Sequence, residues 1–360
     1  MKNRTIIPML KALLAAALFG ASAPISKLLL GEISPTLMAS FLYLGSGIGL
    51  YLQRYCRSSD KRFNDEARLT RNDWPWLMGA VSVGGIAAPI VLMFSLKNTP
   101  ASTASLLLNF EGVATTVIAV LAFKEAVGKR IWMAVLLITM ASILLSWDSS
   151  GQWGLSLGAL GVLNACILWG IDNNFTRNIS AKDPLSIVII KGLSAGTFSL
   201  ILSVILGFPL PSFKFVLLAM ILGYFSYGLS IVLFIRAMRE LGSARTSALF
   251  GTAPFVGVAL SMLMFRENQG TLFFFSLPIM IIGAVFLLKE DHEHLHKHET
   301  TEHEHRHNHN HNHNHNDSHH THSHSDNEIP ENGDHSHAHE HEYIIHEHQH
   351  TPDIYHRHAH

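Results

Sequence analysis

Apolar residues run through most of the chain in blocks of similar length, separated by short polar connections. Each block approaches the roughly 20 residues that a helix needs to cross a hydrocarbon layer about 30 Å thick. Ten such blocks occur, at 6–30, 34–53, 74–96, 101–122, 130–147, 154–176, 184–206, 213–235, 243–265 and 271–288. They are called spans 1 to 10 below. The first follows a short basic lead (Lys2, Arg4) and has the outline of a signal peptide, but nine further blocks mark it as a retained first helix. The pattern predicts an all-α polytopic membrane protein with ten transmembrane helices. Beyond Leu288 the apolar pattern stops.

The blocks repeat. Residues 96–125 align without a gap on residues 238–267 at an offset of 142, placing Ser105 on Ser247, Phe123 on Phe265 and Glu125 on Glu267. LFGASAPISK (18–27) matches LWGIDNNFTR (168–177) at an offset of 150, and Ser34-Pro35 matches Asp183-Pro184 at 149. The chain therefore divides into a first five-helix repeat, 1–147, a second, 152–288, and a tail, 289–360. Five is odd, so the second repeat must lie inverted relative to the first. Inverted repeats are a common construction of secondary transporters, with the substrate site near the midplane between the halves.

Charge separates the spans from the tail. Residues 1–288 carry 22 Lys/Arg and 12 Asp/Glu, and residues 289–360 carry 4 and 15, so a near-neutral total joins a +10 segment to a −11 segment. With the N-terminus in the cytoplasm, the cytoplasmic loops hold 14 Lys/Arg and the outer loops 4. The excess of basic residues belongs on the cytoplasmic side, so both termini are expected there. The short N-terminal lead points to a bacterial plasma (inner) membrane. Cys56 and Cys166 have neither disulfide nor CxxC spacing.

Ionisable groups within spans are costly and mark candidate sites. Glu111 lies midway along span 4, about ten residues and so roughly 15 Å from either surface at 1.5 Å per residue. A carboxyl there suits a group that takes up a proton in one state and releases it, or meets a cation, in another. Thr115 is one helical turn further on the same face, and Asn109 and Thr116 add polarity nearby. Asp172 in span 6 and Lys191 in span 7 each lie roughly 8–10 Å deep on adjacent antiparallel helices. They read either as a structural ion pair or, with Asn173 and Asn174 beside them, as part of a solute site. Tyr227 and its aromatic neighbours in span 8 could line a pocket or face lipid. No glycine-rich phosphate loop, nucleophile elbow or His-Glu zinc spacing is present, so neither an enzyme nor an ATP-driven pump is indicated.

Several of these motifs resemble those of the drug/metabolite transporter superfamily, in its ten-helix EamA-type branch. They are Gly31-Glu32-Ile33-Ser34-Pro35 after span 1, Leu-Phe-Gly and Leu-Trp-Gly in spans 1 and 6, and Phe123-Lys124-Glu125 and Phe265-Arg266-Glu267 closing spans 4 and 9. The stretch 236–245 leading into span 9 is a further match. The resemblance covers residues 6–288 and implies a carrier of small solutes. In that family spans 4 and 9 often carry a Glu-Pro pair; here one repeat has Glu111-Gly112 and the other Ala253-Pro254.

The tail holds all 25 histidines, from His292 to His360. His, Asn, Asp, Glu, Ser and Thr dominate it, and such a sequence buries too little apolar surface to fold, so it is expected to be disordered. His-rich tracts bind metals, and neutral imidazole suits Zn, Ni, Co and Cu. His305, His307, His309, His311, His313, His315, His319, His320, His322 and His324 form the densest alternating run. No cofactor is required by the spans; the tail is expected to bind transition-metal ions. A pH-responsive tail is a further reading, since His titrates at about 6.5.

Together these features describe a secondary transporter, an exporter of a small organic metabolite or drug-like solute by alternating access, with a metal-binding tail. A divalent Ni, Co or Zn efflux carrier is the alternative, and a membrane-anchored metal buffer or sensor the second. The expected partners are the lipid bilayer, a small-molecule solute and protons or a counter-solute, without nucleic acid. The carrier is expected to act as a monomer or homodimer.

Overall fold

The computed structural model describes residues 2–56, 67–123, 127–147, 156–179, 182–241, 246, 249–266, 269–288, 292–298, 301–308, 334–341 and 344–350. From Lys2 to Leu288 its regular structure is helical. Spans 2, 5, 6, 7 and 10 are each one α-helix: α3 (Pro35–Cys56), α8 (Lys129–Ser146), α9 (Leu157–Arg177), α10 (Pro184–Ile205) and α14 (Thr271–Leu288). Among the described residues, seven helical stretches are long and apolar enough to cross a membrane on length and composition. Leu121, Leu157, Ile205, Phe213 and Leu263 are three-quarters or more exposed on the outside of the bundle. Apolar surface on that scale is a liability in water and is covered when lipid surrounds the bundle.

The remaining spans are interrupted, and the interruptions follow the repeat. Span 4 divides into α6 (Ala101–Leu107) and α7 (Phe110–Phe123). In span 9, α13 (Ala253–Phe265) starts after a turn at Gly251 and Thr252. Shifting the turn at Leu108 and Asn109 by the repeat offset of 142 gives 250 and 251, one residue before the turn at 251 and 252, so the two breaks nearly coincide in the repeat. Spans 3 and 8 each contain a π-helical turn. In span 3, α4 (Trp74–Ala80) and α5 (Ala88–Lys97) flank Val81–Ala87; in span 8, α11 (Phe213–Gly223) and α12 (Ser230–Leu241) flank Tyr224–Leu229. These two turns are again about 142 residues apart. Pro89 explains the first, because it has no N–H for the carbonyl four residues back. Span 1 is α1 (Lys2–Gly20) and α2 (Ser22–Leu29), with Pro24 failing the Gly20 carbonyl in the same way.

Glycines bring the halves together. A Cβ on Gly47 of span 2 would lie 2.7 Å from the Leu193 nitrogen, and one on Gly192 of span 7 would lie 2.8 Å from the Gly47 Cα. Spans 2 and 7 are counterparts in the two repeats, so this crossing lies on the pseudo-twofold relation between them. Between spans 2 and 8 a Cβ on Gly223 would meet the Leu42 carbonyl oxygen at 2.0 Å. Close backbone approach through small residues is how helices pack where lipid removes the hydrophobic drive. Gly223→Leu is therefore expected to lower stability by about 1–3 kcal/mol or more through overpacking, read as a fall in melting temperature in detergent.

At one end of spans 2 and 7, the cytoplasmic end in the orientation read from the loops, polar groups bridge the repeats. Arg54 Nη1 lies 2.9 Å from Asp183 Oδ2 and donates to Ser186 Oγ at 2.7 Å. The Asp183 nitrogen donates to the Ala67 carbonyl at 2.9 Å, and Lys182 lies 3.9 Å from Asp73.

The described parts of the tail are four extended segments: β1 (His292–His298), β2 (Thr301–Asn308), β3 (Asp334–His341) and β4 (Ile344–His350). They pair antiparallel as two two-stranded ribbons, β1 with β4 and β2 with β3. Isolated two-stranded ribbons are marginal in water, and the tail's composition gives them no apolar face to bury. They leave the reading of the tail as a segment without its own core in place. Of the alternating run, His305 and His307 lie in β2, and His309 to His324 lie outside the described residues.

Candidate solute site at the span 4 break

The break in span 4 is held by short-range donors. The Asn109 nitrogen donates to Leu106 O (3.2 Å) and the Glu111 nitrogen to Leu108 O (3.1 Å), tighter i→i+3 turns in place of α-helical bonds. The Asn109 side chain donates from Nδ2 to the same Leu106 carbonyl at 2.9 Å. The buried Cys166 thiol of span 6 reaches the Leu107 carbonyl at 3.6 Å. Asn109 therefore satisfies backbone freed by the break and has no direct bond to the Glu111 carboxyl in this arrangement. Thr252 does the same work in the second repeat, its Oγ1 donating to Leu249 O at 2.7 Å.

The break places Glu111 in the first turn of the half-helix α7, where the positive end of the helix dipole favours a carboxylate. Asn173 of span 6 donates from Nδ2 to Glu111 Oε1 at 2.8 Å and to Thr115 Oγ1 at 3.1 Å. The Thr115 hydroxyl donates to the Glu111 carbonyl at 2.9 Å, and Asn174 Nδ2 donates to the Thr115 carbonyl at 3.1 Å. Span 6 approaches this closely because it has Gly170 at the contact, where a Cβ would lie 2.9 Å from the Ala114 Cβ. Glu111, Thr115 and Asn173 thus form one connected group; the sequence sets Thr115 on the face of Glu111 but places Asn173 with Asp172. Glu111 is half-buried and Asn173 exposed.

Asp172 and Lys191 form an ion pair, Lys191 Nζ donating to Asp172 Oδ2. Asp172 is 4 % exposed and also accepts from Thr176 Oγ1 at 3.1 Å. A buried pair of this kind needs such extra partners, because the desolvation cost of two charges can exceed their attraction. The pair lies against the π turn of span 3. A Cβ on Gly84 would meet Asp172 Oδ2 at 2.0 Å, so only glycine admits the carboxylate here. The Gly84 carbonyl accepts from Tyr43 Oη at 2.8 Å and from Trp169 Nε1 at 3.1 Å. A π turn leaves carbonyls without their usual partners and is frequent at functional sites; here spans 2 and 6 supply the missing donors.

Tyr227 belongs to the matching π turn of span 8. Its ring packs 5.7 Å from Tyr43 and 5.9 Å from Phe19. Tyr43, Trp169, Gly84 and Phe19 were not candidates from sequence. Their signal lies in the repeat: Phe19 matches Trp169 at an offset of 150, and Gly84 and Gly85 match Ser226 and Tyr227 at 142.

The two halves differ in charge at the centre. Glu111 corresponds to Ala253 at an offset of 142, Asp172 to Ser22 at 150, and Lys191 to Leu42 at 149. Broken helices and paired π turns in inverted repeats are a construction found in secondary transporters.

Sequence comparison agrees. The chain belongs to the EamA-like transporter family, whose pattern matches it twice, over residues 6–147 and 156–289, one match per repeat. An uncharacterized transporter of Methanothermobacter thermautotrophicus strain Delta H is 27 % identical over 292 residues, covering 76 % of this chain and 83 % of its own. A solved crystal structure shares the fold, with a TM-score of 0.57 at 15 % identity over 78 % of this chain and 94 % of the other. The protein is thus an integral membrane transporter.

Proposed function

We propose that the protein exports a small organic solute by alternating access, using Glu111 as the group that exchanges a proton for solute. The observation that carries this is the setting of Glu111. It sits at a helix break in mid-span, and its side-chain hydrogen-bond partner is the neutral Asn173 amide. Lys191, the cation of the neighbouring pair, is held by Asp172. Ala253 at the equivalent position leaves one such carboxylate, so the proposed stoichiometry is one proton per cycle. The orientation with both termini in the cytoplasm rests on the loop charges. In proteoliposomes with an internal pH dye, a transported solute is expected to move one proton in the opposite direction. A flux unaffected by Glu111→Gln would overturn the assignment.

The tail is proposed to bind transition metals as an accessory to the carrier. Its support is the composition and the backbone register, which sets His305 opposite His337 and His307 opposite His335. Metal as cargo has less support, because among the described residues no three His, Cys, Asp or Glu side chains converge. Inside-out vesicles given ⁶³Ni²⁺, Co²⁺ or Zn²⁺ separate the two. A tail accessory predicts metal held on the outer vesicle face, removable by chelator and lost when the chain ends at Leu288. Accumulation in the lumen that depends on Glu111 would make the metal the cargo.

A further inference from the structure

We infer that Arg54, Asp183 and Ser186 form a latch that fastens the two repeats at their cytoplasmic end, and that its release opens the bundle to that side. This rests on the alternating access proposed above and adds the device that governs it. The latch joins the end of span 2 to the start of span 7. Arg54 Nη1 lies 2.9 Å from Asp183 Oδ2 and donates to Ser186 Oγ at 2.7 Å. Ser186 Oγ donates in turn to Asp183 Oδ2 at 2.6 Å, so the three groups close a ring. Asp183 uses its other oxygen, Oδ1, to accept from the Leu185 nitrogen at 3.0 Å and cap α10. Its own nitrogen donates to the Ala67 carbonyl, and Lys182 beside it lies 3.9 Å from Asp73 at the start of span 3. Spans 2 and 3 of the first repeat are thus both tied to span 7 of the second. One turn inward from Arg54, Leu50 packs with Ile189 and Val232 in a small core separate from the main one.

The repeat supplies the comparison that gives the latch its meaning. At the offset of 149 that relates spans 2 and 7, Arg54 corresponds to Ser203, Asp183 to Ser34 and Ser186 to Leu37. These three lie at the opposite end of the same two spans, and they make no such ring. Ser203 Oγ bonds within its own helix, to the Ser199 carbonyl at 2.7 Å. Ser34 Oγ, shielded from water, has no hydrogen-bond partner among the described residues. Between the two ends lies the crossing at Gly47 and Gly192, where backbone meets backbone and no side chains interlock to fix the angle. Inverted halves with identical ends would open to either side at equal cost. An ion pair at one end alone removes that equality and favours the state closed to the cytoplasm. A half-exposed pair adds little to overall stability, but a small differential is enough to tilt a balanced equilibrium between two states.

The test is labelling of Asn173→Cys in the full-length protein, with Cys56 and Cys166 replaced, by a membrane-impermeant maleimide applied to one face at a time. Arg54→Met and Asp183→Asn each remove the ion pair, and Asn keeps an oxygen to cap α10. Each is expected to raise labelling from the cytoplasmic face roughly 2- to 5-fold, the scale of a part-exposed ion pair, and to lower labelling from the outer face. The double variant is expected to go no further than either change alone, because both remove the same tie. Arg54→Lys, which can still meet Asp183, is expected to stay closer to wild type than Arg54→Met. Rates indifferent to Arg54→Met would overturn the latch and leave alternating access standing. So would rates that rise from both faces together with a fall in melting temperature, the mark of a structural tie. Labelling from one face only, with the latch intact or removed, would sink both readings.

Discussion

Replacing Glu111 by Gln is expected to cut proton-driven solute flux by on the order of 100-fold, the scale on which a positioned proton-transferring group acts. The fold should survive. Gln keeps the shape of Glu, and its side-chain oxygen can still accept from Asn173 Nδ2, which lies 2.8 Å from Glu111 Oε1. The variant mimics the protonated carboxyl permanently, so it should release the solute but fail to reload. Thermal unfolding in detergent and pH-driven flux measured on the same preparation distinguish a coupling defect from misfolding. A variant with wild-type coupling would show that the mid-span carboxyl serves only to tie span 4 to span 6.

Asp172→Asn is expected to destabilise the protein by about 3–5 kcal/mol, because it leaves the Lys191 ammonium without its counter-charge inside the bundle. The effect is predicted to come from the orphaned cation rather than from a lost attraction. The double variant Asp172→Asn with Lys191→Met should therefore recover most of the stability, since a buried pair replaced by neutral groups of similar size is often near neutral. Thermal unfolding in detergent of the two single variants and the double variant tests this. If the double variant is no more stable than Asp172→Asn alone, the pair does not act as a unit, and Asp172 is held for its place beside the Gly84 turn. That place is confined, since a Cβ on Gly84 would lie 2.0 Å from Asp172 Oδ2.

The span lengths were legible because a bilayer sets them, and the duplication because the offset of 142 survives in span 4 against span 9. The Asp172–Lys191 pair was legible as well, since two charges at similar depth on adjacent antiparallel helices have few other partners. The break in span 4 was not. Leu108-Asn109 carries no proline or glycine, and a run of Ala, Ser, Thr and Leu reads as a continuous helix. Its counterpart, Gly251-Thr252-Ala253-Pro254, carries both breakers, so the repeat could have transferred the break from the second half to the first. The π turn in span 8 has no proline either, while its partner in span 3 precedes Pro89. Tyr43 and Trp169 escaped notice for a different reason. An aromatic residue within a span has the same pattern whether it faces lipid, packs in the core or, as here, donates to a carbonyl freed by a π turn.

Alternating access to the group around Glu111 can be tested without knowing the solute. Asn173 is exposed and bonds directly to Glu111, so Asn173→Cys, with Cys56 and Cys166 replaced, reports on that space. The measurement is labelling by a membrane-impermeant maleimide, applied from one face of the membrane at a time. The account predicts labelling from both faces, with Glu111→Gln raising the rate from one side and lowering it from the other. Labelling from a single face, with a rate indifferent to Glu111, would contradict it.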